Sequence, residues 1–219
     1  MTDFNVQLFG DLTADTLLIQ MVDDHDLEVI ESELTFIQEL SGRQDFCLKA
    51  VRVNSWNQDL SPWPAPAVFG NEDFGNGAAE TLEYLLKKVV DISKMSVSEY
   101  RRIYLGGYSL SGLFALWAGY QTDCFDGIAA ASPSVWFPEF IGYMKERKIQ
   151  TNAVYFSLGD REEKTRNSTM AAVGDRIREA YELLNRAGVN CVLEWNKGNH
   201  VKETDLRTAK AFAWLLQEK

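Results

Sequence analysis

The chain has 219 residues, of which 46% are hydrophobic and 25% charged, the balance of a globular protein with a sizeable core rather than of a disordered one. Its formal net charge of -10 argues against nucleic acid or an anionic membrane as partner, since either would repel it, and decides little about a small substrate. There is no basic stretch followed by an apolar one at residues 1–10, and no apolar run approaches the ~20 residues needed to span a bilayer, so a cytoplasmic location is expected. Cys47, Cys124 and Cys191 are odd in number, widely spaced and free of any C-x-x-C pair. Buried free thiols are therefore expected, rather than a disulfide framework or a structural zinc site.

Along the chain, Phe4, Val6 and Leu8 alternate with polar residues as in an edge strand, and Thr16–Val22 reads as a strong strand. Residues 23–26, Asp-Asp-His-Asp, form an acidic loop, and Leu27–Leu40 carries apolar residues at helical spacing until Ser41-Gly42 stops it. Asp45–Val53 is the next strand. A loop rich in proline and tryptophan follows over residues 54–67 and runs on through Phe69 to Gly77; a connection this long without structure of its own is often functional. A helix is predicted over 78–92, a strand over 103–105, an apolar helix through Leu113–Trp117 and a strand of small residues over 126–132. The remaining elements are a short helix over about 138–148, a strand over 152–158, a helix over 168–187 stopped by Gly188, a strand over 191–195 and a closing helix over 204–217. Strands alternating with helices predict a mostly parallel sheet of about six to seven strands with helices on both faces, in a single domain spanning 1–219. Right-handed crossovers then bring every strand-to-helix loop to the carboxyl edge of that sheet.

At that edge lies Gly106-Gly-Tyr-Ser-Leu-Ser-Gly112, between an apolar strand and an apolar helix. A strand that reverses sharply into a helix forces the turn residue into strained geometry and needs small neighbours two before and two after it, the pattern G-x-S-x-G of a nucleophile elbow. Here Ser109 has Gly107 before it and Ser111 in place of the second glycine, with Gly112 one residue on. Ser109 is the predicted nucleophile. A serine hydroxyl needs a base within hydrogen-bond reach, and the chain has two histidines. His200 follows the last strand, in the polar loop 196–200, on the same edge as Ser109. A carboxylate that orients this imidazole is expected in the loop behind Gly159, with Glu162 as first choice and Glu163 and Asp160 as alternates. Donors for the developing oxyanion are expected from the backbone N–H of Leu110 and from the loop after Thr16–Val22, nearest Asp24 or His25. His25, among Asp23, Asp24 and Asp26, has none of the usual metal-ligand spacings, and no metal is expected.

Taken together, Gly-Gly-Tyr-Ser109-Leu-Ser-Gly, Ala-Ser132-Pro-Ser134-Val-Trp136 and Gly-Asn-His200 resemble the esterase D-like branch of the α/β-hydrolases, which includes enterochelin-esterase-like and feruloyl-esterase-like proteins. The resemblance covers roughly Thr16 to the C-terminus. It implies an α/β-hydrolase fold, an acyl-enzyme mechanism on a small-molecule ester or thioester, no cofactor beyond water, and a Ser-Pro-Ser-x-Trp stretch bordering the site. Ser134, Trp136 and, from the long loop, Trp56 and Trp63 would then shape the substrate pocket. The chain departs from the family at Asp23-Asp24, where a His-Gly or Asp-Gly is usual, at Ser111, and in having only one short helix where many relatives carry a lid. An acyltransferase using the same three residues, or a binding protein on a hydrolase scaffold, would fit the same pattern. Oligomeric state is not legible in the sequence.

Overall fold

A computed structural model describes residues 3–68, 70–90 and 100–218. The strands β1 (Asn5–Gly10), β2 (Thr16–Val22), β3 (Cys47–Arg52), β4 (Arg102–Tyr108), β5 (Gly127–Ala131), β6 (Ala153–Gly159) and β7 (Asn190–Asn196) form one sheet. Its order is β1-β3-β2-β4-β5-β6-β7; β1 pairs antiparallel with β3, and every other pairing is parallel. Strands buried on both faces read as nearly continuous apolar runs, and β2 is buried throughout, with Thr16 and Gln20 as its polar residues. Its Leu17, Ile19 and Met21 enter one core, and its Leu18 and Val22 the other. β1 lies at the edge and is largely exposed, with Leu8 51% accessible.

The helices are α1 (Asp24–Ser41), α2 (Trp56–Asp59), α3 (Ala78–Tyr84, continued by a π-helical turn Leu85–Val89), α4 (Leu110–Gln121), α5 (Phe140–Lys145), α6 (Ser168–Ala171), α7 (Val173–Arg186) and α8 (Thr204–Gln217). α1 and α8 cover one face of the sheet; α3, α4, α5 and α7 cover the other. α4 is buried from Leu110 to Tyr120, which explains why its sequence is apolar all round. Each of its Leu and Phe side chains withdrawn from water contributes about 1.5–3 kcal/mol. α7 buries Val173, Ile177, Ala180 and Leu184, one stripe at helical spacing.

The elements stand where the periodicity put them, with differences at their ends. The strand expected at 103–105 runs to Tyr108, because Gly106 and Gly107 face Ala129 and Ala130 and small residues on neighbouring strands pair closely. The acidic loop shrinks to Asp23. This residue caps α1, its Oδ1 accepting the N–H of Asp26 (2.9 Å) while Asp26 Oδ2 accepts its own N–H (3.1 Å), so the helix starts three residues early. The long tryptophan loop has structure after all, in α2 and an antiparallel bridge between Ala65 and Phe74. The helix expected at 168–187 breaks at Ala172 into α6 and α7, and the one at 138–148 shortens to α5. Of the helix expected at 78–92, residues 91–92 lie outside the described residues, as does Phe69. Cys47 is buried, while Cys124 and Cys191 are half-buried; all three are free thiols. Among the described residues, no helix is long and apolar enough to cross a membrane.

Candidate active site

Ser109 joins β4 to α4 with φ 59° and ψ -118°, a conformation that side-chain-bearing residues seldom adopt unless their surroundings impose it. Two hydrogen bonds impose it here. The Ser109 N–H donates to the carbonyl of Ala131 (3.0 Å), and the N–H of Ser134 donates to the Ser109 carbonyl (3.0 Å). Crowding in the turn falls on Gly107, where a β-carbon would stand 1.7 Å from Ser111 Oγ. That hydroxyl donates to the carbonyl of Met21 (2.8 Å) and ties the elbow to β2. The serine in place of a second glycine is thus accommodated by the glycine before the nucleophile.

Ser109 Oγ lies 3.0 Å from His200 Nε2, and His200 Nδ1 lies 2.6 Å from Glu162 Oε2. With the imidazole proton on Nδ1, that nitrogen donates to the carboxylate and Nε2 accepts from the serine hydroxyl. His200 is a third exposed, whereas Glu162 is buried in a short 3-10 turn, Glu162–Lys164, just past β6. Its other oxygen, Oε1, accepts from the Gly159 N–H (2.6 Å), Ser132 Oγ (2.9 Å) and Arg207 Nη1 (3.0 Å).

The two loops that carry Glu162 and His200 are zipped to each other. Beyond the last strand pairing, Gly159 with Asn196, the Asp160 N–H donates to Asn196 O (2.8 Å), and the Arg161 N–H donates to Gly198 O (3.1 Å). The Asp160 carboxylate closes the set by accepting from the Gly198 N–H (2.8 Å), a bond that holds its pKa below the ordinary value. A β-carbon at Gly159 would lie 2.4 Å from Gly198 O, so only glycine lets the loops approach this closely. Asp160 therefore serves the loop backbone rather than the imidazole. Glu163 pairs with Arg178 (3.2 Å) over α7. Of the three carboxylates considered from the sequence, Glu162 is the one hydrogen-bonded to His200.

Ser134 is buried, with its Oγ 3.2 Å from Ser109 Oγ. Leu110 and Asp24 are the first residues of α4 and α1, and first-turn N–H groups have no partner within their own helix. The tryptophans separate. Trp136, with Ser132, Glu162, Thr165, Met170, Val173 and His200, lines a cleft of about 120 Å³. Trp63 donates its indole N–H to Pro138 O (3.0 Å), packs among Phe137, Phe140 and Tyr143, and lines a different groove together with Arg147. Trp56 packs against the core on the α4 side of the sheet. His25 is exposed beside Glu28.

Tyr108 and Arg207 were not singled out as site residues in the sequence, and Ser132 was placed there only as part of the stretch bordering the site. Ser132, with φ 41°, donates to Glu162. Tyr108 donates its hydroxyl to the His200 carbonyl (2.7 Å). Burial, with the Glu162 carboxylate nearby, pushes that phenol up to about 12, so it remains a donor. Arg207 is 1% exposed and reaches both Glu162 and Tyr108. A signal for Arg207 was present, since it falls on the buried stripe of α8 with Ala211 and Leu215, where an arginine needs a buried partner.

Neither a protein-family model nor a curated protein matches the sequence. Solved structures do match the fold. The siderophore hydrolase EstA from Aspergillus nidulans aligns over 97% of this chain and 89% of its own, with 20% identity and a TM-score of 0.69. An IroE-like serine hydrolase from Shewanella oneidensis aligns over 98% and 79%, with 12% identity and a TM-score of 0.72. The enterobactin esterase FES from Shigella flexneri aligns over 98% of this chain but 55% of its own, with 14% identity and a TM-score of 0.68. Together with the strand order, these likenesses make the fold that of an α/β-hydrolase.

Proposed function

We propose that the chain is a serine hydrolase of carboxylic esters, acting as a single domain through Ser109, His200 and Glu162. The observation that carries this reading is the continuous hydrogen-bonded line from Ser109 Oγ through the imidazole to Glu162, on an elbow whose backbone is held in a strained form. Such a line makes the hydroxyl a nucleophile. His200 Nε2 takes the hydroxyl proton as Oγ attacks the ester carbonyl, and Glu162 stabilises the imidazolium that results. The Leu110 N–H, with the Asp24 N–H as second donor, receives the oxyanion. Asp23 is the poorer candidate for that second place, since its N–H is engaged by Asp26. Collapse of the tetrahedral intermediate expels the alcohol, which leaves with the proton from His200. Water, deprotonated by the same imidazole, then releases the acid and restores the serine.

The small cleft beneath Trp136 favours a compact group on one side of the scissile bond. Between β5 and β6 the chain has one helix, the short α5. The structural neighbours are named for siderophores and enterobactin, so esters of that type are the natural second panel after simple ones. Hydrolysis of p-nitrophenyl acetate through octanoate by the wild type and Ser109→Ala tests the reading. Turnover that vanishes in the variant is expected. If neither protein turns over ester and a fluorophosphonate leaves Ser109 unlabelled, the scaffold is not a hydrolase.

A further inference from the structure

A buried arginine is expensive to desolvate, and one left incompletely paired is more so. Arg207 is 1% exposed, and its Nε has no hydrogen-bond partner. Both terminal nitrogens donate to protein acceptors. Nη1 donates to Glu162 Oε1 and to Tyr108 Oη, each at 3.0 Å, and Nη2 donates to the carbonyl of Lys197 (3.3 Å). Tyr108 in turn donates to the carbonyl of His200 (2.7 Å). One guanidinium on the first turn of α8 therefore grips the end of β4, the carboxylate after β6 and the start of the loop after β7, and through Tyr108 it reaches the His200 carbonyl. Two of these contacts lead to members of the hydrogen-bonded line at Ser109, Glu162 directly and His200 through Tyr108, yet Arg207 itself lies behind it.

We propose that Arg207 is a positioning residue for the reaction. Its fork fixes Glu162 so that Oε2 meets His200 Nδ1, and its charge opposes the positive charge that appears on the imidazole. This rests on the reading of Ser109, His200 and Glu162 given above. The groups that face the imidazole are Glu162 from the loop after β6, Tyr108 from β4, Ser109 from the elbow and, through Glu162, Arg207 from α8. Asp160, with Arg161, Lys164 and Lys197 around it, lies on the exposed side of the same loops. Of these charges, the guanidinium is the buried cation, and water screens it least.

Its removal has a direction. Without the cation less opposes the positive charge on the imidazole, so the acid limb of the rate profile is expected to move up. The loss of the fork loosens Glu162, and misplacement on this scale costs ~10- to 100-fold in kcat. An arginine that served only to fill space would lower stability without moving the limb.

The experiment uses Arg207→Met, which removes charge and fork, and Arg207→Lys, which keeps the charge and loses the fork. The chain has two histidines, so with His25→Asn as a silent background the imidazole resonances of His200 can be followed by NMR as pH is varied, without any substrate. The pH dependence of kcat/KM for p-nitrophenyl butyrate is measured beside it. In folded Arg207→Met the NMR midpoint and the acid limb are both expected to rise, with the loss carried by kcat. In Arg207→Lys the midpoint is expected to stay near that of the wild type while kcat still falls. A folded Arg207→Met with both midpoints unmoved overturns the proposal. If Arg207→Met does not fold, Arg207→Lys decides, because undiminished kcat there means the fork positions nothing. A wild type that hydrolyses no ester refutes the esterase reading, while the NMR titration still reports on Arg207.

Discussion

The sharpest test of the proposed chemistry is Glu162→Gln, because the surroundings of this carboxylate leave an amide no good orientation. Oε1 accepts from three donors, the Gly159 N–H, Ser132 Oγ and Arg207 Nη1, while Oε2 faces His200 Nδ1. A glutamine offers one accepting oxygen and one donating nitrogen. If its oxygen stays with the three donors, its NH2 faces Nδ1 and forces the imidazole proton onto Nε2, where it cannot receive the proton of Ser109. If its oxygen turns to Nδ1 instead, an NH2 meets three donors in a buried place. The first orientation keeps more hydrogen bonds, so the wrong tautomer wins. Carboxylate-to-amide exchange with this consequence lowers kcat by ~10⁴, or about 5.5 kcal/mol of transition-state stabilisation. The variant also leaves Arg207 as a buried charge without its counter-ion, which costs about 3–5 kcal/mol of fold stability. At roughly 2–4 °C per kcal/mol for a chain of this size, Tm should fall by about 6–20 °C. The assay is kcat and KM for p-nitrophenyl butyrate well below the new Tm, with thermal unfolding measured in parallel. A variant with a lowered Tm but wild-type kcat would show that Glu162 supports the fold alone, and the reasoning would fail.

The other expectations concern the elbow, the cleft and the pH dependence of folding. Gly107→Ala places a methyl against Ser111 and should cost about 1–3 kcal/mol of stability along with most activity; adding Ser111→Gly removes the clash with the Ser111 side chain and should recover part of both, and equal Tm values for the two variants would contradict this. Met170→Ala opens the cleft beneath Trp136 and should shift preference toward longer esters by ~10-fold in relative kcat/KM. Trp63→Ala, in a separate groove, should leave that ratio unchanged. Glu33 is 2% exposed, and burial holds its carboxyl well above the ordinary value near 4.5, with Gln20 Nε2 as its hydrogen-bond donor (3.2 Å). Its folded pKa is raised, so the protonated form contributes fully below about pH 4.5, and that contribution is lost as pH climbs toward the folded value. Glu33→Gln carries no such proton, so Tm of the variant should rise relative to wild type between pH 5 and pH 8; a constant difference over that range would refute the assignment.

Much of this fold was legible because its signals are local. Six apolar runs broken by helical periodicities announce a parallel sheet covered on both faces, and a strand, Gly-x-Ser and an apolar helix announce the elbow. The ends of elements were harder to read. Asp23 to Asp26 look like a loop until the reciprocal bonds of Asp23 and Asp26 are seen to start α1 there. The break at Ala172 carries no proline, and the nearest glycine, Gly174, lies inside α7. Among the tryptophans, composition gave no way to tell Trp136, at the cleft, from Trp63, which hydrogen-bonds Pro138 and packs in an aromatic cluster elsewhere.

The sequence by itself determined the strand and helix alternation, the exceptional turn at Ser109 and the short set of partners for it, since backbone strain and apolar periodicity are properties of neighbouring residues. Only the tertiary structure decided which carboxylate meets His200. Asp160, Glu162 and Glu163 are alike in chemistry and adjacent in sequence, and what separates them lies far along the chain: the Gly198 N–H takes Asp160, Arg178 takes Glu163, and Arg207 with Ser132 and His200 surrounds Glu162. Such a choice depends on which donors the sheet brings within about 3 Å, and that is settled only when residues 38 apart in the chain are laid side by side beyond β6 and β7.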